Sequence, residues 1–166
     1  MKGWHARGYL PHFDSPEAVQ HVVFRTRGSL PRHVHASDVG AALDLSPDGR
    51  IFAAPEAAAV MQSALLHFDA QRYRLLGWCV MPNHVHAVIE QIDGYPLGSI
   101  VRSWKIFVAR RLAGGGSLWA KDYYDRFVRN EADLARVLDY VERNPVSAGF
   151  VAEPEDWPFS SAYRRA

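Results

Sequence analysis

The sequence is short of several things, and each shortage closes off a class of protein. It has one cysteine in 166 residues, Cys79, which excludes an internal disulfide framework and any CxxC zinc site. No apolar run approaches the ~18 residues that a membrane-spanning helix needs. The opening MKGWHARGYLPHF carries no apolar stretch of the signal-peptide kind, so a cytoplasmic protein with no membrane partner is expected. Lysine is scarce, with only Lys2, Lys105 and Lys121 among 19 basic residues. Net charge is nearly absent as well, at +1, and taken alone that argues against a nucleic-acid partner. What is present is 48% hydrophobic and 22% charged, a composition that excludes a disordered chain and suits one domain spanning 1–166.

The small total hides segregation. Residues 1–35 carry a surplus of three positive charges and residues 102–129 a surplus of five, while 36–101 and 130–166 are acidic. Most of the basic residues are arginines, whose forks suit phosphates and base edges better than lysine point charges do. The competing reading is a solvated surface in an arginine-favouring composition, and charge alone does not choose between them.

Periodicity supplies the elements. Val19–Thr26 (VQHVVFRT) reads as a strand, and a short helical turn falls around Ala36–Leu43. Residues 51–71 carry apolar residues at helical spacing. Tyr73–Val80 and His84–Gln91 read as strands joined by a tight hairpin at Met81-Pro82-Asn83. Leu97–Leu112 reads as a helix ending before Gly114-Gly115-Gly116, and Tyr123–Val128 as a short strand. Asn130 is a suitable N-cap for a last helix to about Arg143, which Asn144-Pro145 should stop. This order predicts an α+β, ferredoxin-like antiparallel sheet with helices packed on one face.

Side chains alternate along a strand, so His84 and His86 share a face with Val88 and Glu90, opposite the apolar Val85, Ala87 and Ile89. Two imidazoles on a half-exposed face, ~6–7 Å apart along the strand, offer a bite for one metal ion. The bland alternative is decoration; His33-Val34-His35 repeats the pattern among turn formers and reads as incidental. On the last helix, Leu134, Val137, Leu138 and Val141 form a buried stripe. Tyr140 and Asn144, four residues apart, stack on its flank. A tyrosine hydroxyl and a carboxamide facing two histidines would make a nucleophile beside a metal site, although Tyr123 and Tyr124 are rival nucleophiles and Tyr140 could be a plain boundary aromatic.

The run Gly77-Trp78-Cys79-Val80-Met81-Pro82-Asn83-His84-Val85-His86 resembles the histidine–hydrophobic–histidine (HUH) strand of single-tyrosine transposases that act on single-stranded DNA. Within them, the chain is similar to the REP-associated tyrosine transposases. The similarity runs through residues 3–13 (GWHARGYLPHF), 124–129 (YDRFVR), Leu138-Asp139-Tyr140-Val141 with Asn144-Pro145-Val146, and 156–161 (DWPFSS). It spans nearly the whole chain in the right order. One departure is Ala120-Lys121-Asp122-Tyr123, which stands where a Gln-Arg-Arg-Phe-like stretch is usual.

The resemblance implies an HUH-endonuclease fold with Tyr140 as catalytic nucleophile, His84 and His86 as metal ligands, and Asn144 as the third ligand. Two imidazoles and a carboxamide suit Mg²⁺ or Mn²⁺. The implied activity is cleavage and rejoining of single-stranded DNA near hairpin (REP-like) sequences, through a covalent 5′-phosphotyrosine and with no ATP. The implied partner is that hairpin DNA, the implied site nucleoid-associated, and the implied state a monomer, with a dimer open. Trp4, Arg7 and Tyr9 resemble the family's DNA-recognition arm (residues 1–15), with 146–166 a C-terminal extension.

Single-strand binding combines a basic groove with aromatic platforms, and residues 102–129 interleave Arg102, Trp104, Lys105, Phe107, Arg110, Trp119 and Arg126. Core packing competes for Trp104 and Phe107. Two other readings stand beside the transposase. One is a catalytically silent DNA-binding regulator on the same fold. The other is an unrelated metal-dependent hydrolase using His84, His86 and Glu90, which would release product with no protein–DNA adduct.

Overall fold

The fold was obtained as a computed structural model that describes residues 3–6, 11–14, 17–30 and 39–165, with residues 3–6, 11–14 and 164–165 described by backbone alone. Among the described residues, six strands and five α-helices follow in the order β1 (Gly3–Ala6), β2 (Pro11–Asp14), β3 (Val19–Thr26), α1 (Val39–Leu45), α2 (Pro55–His67), β4 (Tyr73–Val80), β5 (His84–Gln91), α3 (Leu97–Ala113), β6 (Trp119–Phe127), α4 (Glu131–Ser147) and α5 (Ser161–Arg165). Strands β3 to β6 form one antiparallel sheet in the order β4-β5-β3-β6, the ferredoxin-like arrangement, while β1 and β2 pair as a separate hairpin. That hairpin approaches β6, the edge strand of the main sheet.

One sheet face carries the main core. Val22 and Phe24 of β3, Trp78 and Val80 of β4, and Val85, Ala87 and Ile89 of β5 pack there against α2 and α3. Trp104 of α3 lies at its centre, stacked on Phe24 with ring centroids 5.9 Å apart. Its indole N–H donates to the Tyr73 hydroxyl at 2.9 Å, so the one polar atom of the ring is satisfied inside the core.

The expectation of helices on one face only is corrected by α4, which covers the other. Cys79, Met81 and Val88 project from that face and are buried with Val137 and Val141 of α4. A second apolar patch on the sheet had to find a cover, and the apolar stripe of α4 provides it. The approach is close. A Cβ built on Gly77 would lie 2.5 Å from Leu138 Cδ2, so a side chain here would make Leu138 shift for α4 to seat as closely.

Other boundaries follow local chemistry. Pro55 at the first helical position starts α2 late, after a 3₁₀ turn at Ile51–Ala53, so the 51–71 stretch is two elements. Asn130 caps α4 by accepting the Asp133 amide at 2.9 Å, as its residue type suggests. Asn144-Pro145 does not stop α4, which runs through Ser147. Proline deletes a single ladder bond there, within the last turn, where both Asn144 and Pro145 are buried. Strand β6 begins at Trp119, four residues earlier than its polar-looking start suggested. After α4 the chain folds back: the Trp157 indole donates to the Val80 carbonyl at 3.0 Å, and Ser161 Oγ to Glu142 Oε1 at 2.6 Å.

Candidate active site

The histidine face of the sheet is not half exposed but closed. His84 and His86 are both buried, because α4 lies over β4 and β5. Their Nε2 atoms converge to 3.1 Å. His84 Nδ1 lies 2.8 Å from Asn83 Oδ1, and Asn83 spends its Nδ2 on the Leu43 carbonyl at 2.8 Å. Asn83 Oδ1 must therefore accept, His84 Nδ1 carries the proton, and Nε2 presents a lone pair.

A third imidazole joins from the neighbouring strand. The antiparallel register sets His21 of β3 opposite Val88 and Val23 opposite His86, so His21 and His86 are diagonal neighbours on one face. Their rings stack at 5.2 Å, with His21 Nε2 3.0 Å from His86 Nδ1. All three rings are held neutral. Burial depresses His84 to about 3, and a protonated ring's bond to Asn144 only partly opposes this. Burial and the Arg126 charge lower His21 to about 4, and burial pushes His86 well below the ordinary value.

Tyr140 reaches this cluster from α4. Its ring meets His86 edge-on at 5.7 Å and His21 at 6.0 Å, yet the residue stays 49% exposed. Burial of its hydroxyl and the Asp44 charge raise the phenol above its ordinary value; the Asn144 carboxamide pulls the other way. The structure thus brings Tyr140, His84, His86 and Asn144 together. Asn144 itself is buried, and its Oδ1 has no hydrogen-bond partner.

These donors fit a divalent ion. Two ligands at adjacent octahedral positions, each about 2.1 Å from the ion, lie about 3.0 Å apart, which the histidine Nε2 pair matches at 3.1 Å. An unpartnered carboxamide oxygen beside two converging imidazole nitrogens is a donor set that a cation would complete. Among the described residues, no three His, Cys, Asp or Glu side chains form a metal cluster, so the carboxamide is needed to make a third donor.

The basic residues are divided. Arg126 of β6 is registered opposite His21 on the histidine face, and its guanidinium donates to Asp133 Oδ1 at 2.7 Å. That bond, with the Arg129 amide, holds Asp133 down to about 2. Arg102 and Arg110 are exposed on α3, across the sheet from the histidines. Lys105 Nζ donates to the Ala120 and Asp122 carbonyls at 3.2 and 3.3 Å, a tie between α3 and β6. Trp104 is core, whereas Phe107 is exposed. Tyr124 is exposed on the histidine face, and Tyr123 is registered opposite the core residue Phe24. Arg7, Tyr9 and His33-Val34-His35 lie outside the described residues, as does the side chain of Trp4.

Three side chains at the site, His21, Asn83 and Asp44, were not marked by pattern as functional. His21 is one of four polar residues of β3, and its place beside His86 shows only once the register is known. Asn83 reads as a turn former. Asp44 sits on α1, a short helix with no periodicity to advertise it, and its Oδ1 lies 3.8 Å from His84 Nε2. Helix α1 also borders the nucleophile candidate, since a Cβ on Gly40 would be 3.2 Å from the Tyr140 hydroxyl.

The ferredoxin-like sheet expected from the sequence is present, and its paired strand histidines lie beneath a helix-borne tyrosine. The chain is similar to REP-associated tyrosine transposases in sequence. It is 29% identical over 100 residues to a putative REP-associated tyrosine transposase of Haemophilus influenzae, covering 52% of this chain and 57% of that one. It is 27% identical over 108 residues to the REP-associated tyrosine transposase of Escherichia coli, covering 63% and 64%. The match thus spans roughly three-fifths of these relatives' length. The fold is similar to that of a REP-associated tyrosine transposase solved bound to a REP hairpin, with a TM-score of 0.72 at 19% identity, covering 96% of this chain and 84% of that one. No protein-family model matches the chain. Among the described residues, no helix is long and apolar enough to cross a membrane.

Proposed function

We propose that the protein is a metal-dependent single-stranded DNA transposase of the REP-associated tyrosine type, cutting and rejoining strands near hairpin sequences through Tyr140. The observation that carries this reading is the convergence of Tyr140, His84, His86 and the unpartnered Asn144 oxygen at one partly open spot. The relatives' names and the hairpin-bound neighbour support the substrate class.

In the proposed reaction the Tyr140 oxygen attacks the scissile phosphorus as the bond to the 3′ oxygen breaks. The phenol loses its proton and the departing oxygen takes one up, leaving a 5′-phosphotyrosyl link and a free 3′-hydroxyl. Attack by a second 3′-hydroxyl reverses the step, so the phosphodiester is conserved and no ATP is consumed. His84, His86 and Asn144 would hold Mg²⁺ or Mn²⁺, which supplies positive charge to the phosphate's non-bridging oxygens. Asn83 and His21 keep the two ligand rings oriented and neutral. The Asn144 carboxamide favours the phenolate, which matters because an unassisted phenol has a pKa near ~10. Arg126 on the same face, and the arm of residues 1–15 with Trp4, Arg7 and Tyr9, are proposed to guide the strand. Arg102 and Arg110 are proposed DNA contacts at a distance from the chemistry, whereas Lys105, with its ammonium engaged by the Ala120 and Asp122 carbonyls, serves by anchoring β6.

The test is a denaturing gel of the protein incubated with Mn²⁺ and a hairpin-tailed single strand. A covalent adduct is expected, lost in Tyr140→Phe and in the metal-chelated sample. Binding of the hairpin with no adduct would instead identify a silent regulator, and cleavage with no adduct a hydrolase.

A further inference from the structure

Strand β6 carries two adjacent tyrosines that face opposite ways. Tyr123 is registered opposite Phe24 and packs on the main core, as the alternation of strand side chains requires. Tyr124 projects on the histidine face, stays 50% exposed and, among the described residues, packs in neither apolar cluster. A single exposed ring signifies little by itself, so its neighbours decide what it does.

The strand registers place Tyr124 at the end of one continuous cross-strand row: Cys79 of β4, His86 of β5, Val23 of β3, then Tyr124 of β6. Helix α4 lies over the β4–β5 half of that row, so Cys79 and His86 are buried, whereas Val23 is half-buried and Tyr124 open. Tyr140 stands at the boundary, edge-on to His86 and His21. At about 4.8 Å per strand, the backbone of Tyr124 is roughly 10 Å from that of His86, within reach of a flanking nucleotide. The adjoining row on the same face runs Val88, His21, Arg126, which sets Arg126 beside Tyr124. Asp133 Oδ1 receives Arg126 at 2.7 Å and Arg136 at 3.5 Å. One carboxylate between two guanidiniums leaves this edge of the site positive.

An open ring for a base and a surplus of guanidinium for phosphate are the two parts of a single-strand binding surface. Here they lie on a rigid strand, and the half-buried Val23 connects them to the candidate nucleophile. We propose that Tyr124 is the platform on which a base flanking the scissile phosphate stacks, with Arg126 beside the adjoining phosphate. The inference rests on the transposase reading above and adds how the strand is held against Tyr140. Every base has a face to stack, so the platform positions the strand without reading its sequence.

The experiment uses the full chain carrying Tyr140→Phe, so that no cleavage intervenes. It is titrated in Mn²⁺ with hairpin-tailed single strands that hold fluorescent 2-aminopurine at successive tail positions. Stacking on a ring quenches this base. Quenching is expected at one tail position or at two adjacent ones, retained when Tyr124→Phe is added and lost with Tyr124→Leu, which keeps apolar bulk without an aromatic face. Affinity should fall on the order of tenfold in Tyr124→Leu. An unchanged thermal midpoint shows that this variant is folded. With Tyr140 restored, Tyr124→Phe should form covalent adduct as the wild type does, and Tyr124→Leu less of it. Quenching at no tail position, or quenching and affinity unchanged in Tyr124→Leu, overturns the platform, while adduct at Tyr140 upholds the transposase reading. Loss of the adduct in Tyr124→Phe overturns both, because that hydroxyl would then be the nucleophile.

Discussion

Both faces of the sheet are covered by helices, and they differ in chemistry. On the α2–α3 side, Val22, Phe24, Val85, Ala87 and Ile89 meet Trp104 and the helices with apolar atoms throughout. On the α4 side, His21, His84, His86 and Asn144 are buried as deeply, but as neutralised rings and an unpartnered oxygen. Burial on the first face stabilises the fold, since apolar area leaves water at roughly 25 cal/mol per Å². Burial on the second costs stability and yields a dry, preorganised set of donors. One sheet thus supplies both the rigidity and the site that needs it.

The contrast is sharpest in paired substitutions. Phe24→Ala removes a ring that stacks on Trp104 and meets Trp119 edge-on at 5.3 Å, and should cost about 3–5 kcal/mol in urea unfolding. Tyr140→Phe, on the half-exposed flank of the other face, should leave the urea midpoint nearly unchanged while abolishing adduct formation. Equal destabilisation by the two would break the contrast.

The polar face should also confer a pH dependence. An unfolded histidine titrates near ~6.5, whereas His21 and His84 titrate at about 4 and about 3 when folded. Below pH ~6.5 the unfolded chain therefore binds more protons. The stability is complete above that pH and is lost as pH falls toward the folded values. Asp44 acts in the opposite sense, because burial raises it to about 6 and protonation relieves the buried charge. Urea midpoints should hold from pH 7.5 to about 6.5 and fall from there to 4.5, more shallowly in His21→Gln; a flat profile below pH ~6.5 would contradict neutral burial of the imidazoles.

Where the faces are joined, Gly77→Ala should drive a methyl into Leu138 and cost about 1–3 kcal/mol, with lowered adduct yield because α4 carries Tyr140. Smaller still, Asp44→Asn should stabilise the metal-free chain at pH 7 by about 1–2 kcal/mol, by removing a buried charge. A loss of stability there would mean that the carboxylate has a favourable partner.

The two faces also differed in how far sequence revealed them. The strands Val19–Thr26, Tyr73–Val80 and His84–Gln91 match their periodic runs end to end, because β-branched residues and the Met81-Pro82-Asn83 turn are local signals. The histidine strand looked half exposed because no pattern within it records that α4 will cover it. His21 joins His86 only through the β3–β5 register, and Asp44 reaches His84 only through tertiary placement of a seven-residue helix. Asn144-Pro145 read as a stop signal because proline's effect is local, whereas the burial that extends α4 past it is not. The candidate tyrosine, histidine pair and carboxamide were legible from spacing and resemblance; the residues packed around them were not.

The central claim is that the oxygen joined to DNA belongs to Tyr140, and trypsin separates it from its rivals. Tryptic residues 137–143 (VLDYVER) contain that tyrosine alone, whereas Tyr123 and Tyr124 fall together in residues 122–126 (DYYDR). Mass spectrometry of nuclease-trimmed, trypsin-digested adduct should find the nucleotide on the 137–143 peptide. A nucleotide on the 122–126 peptide, or on neither, would contradict the account.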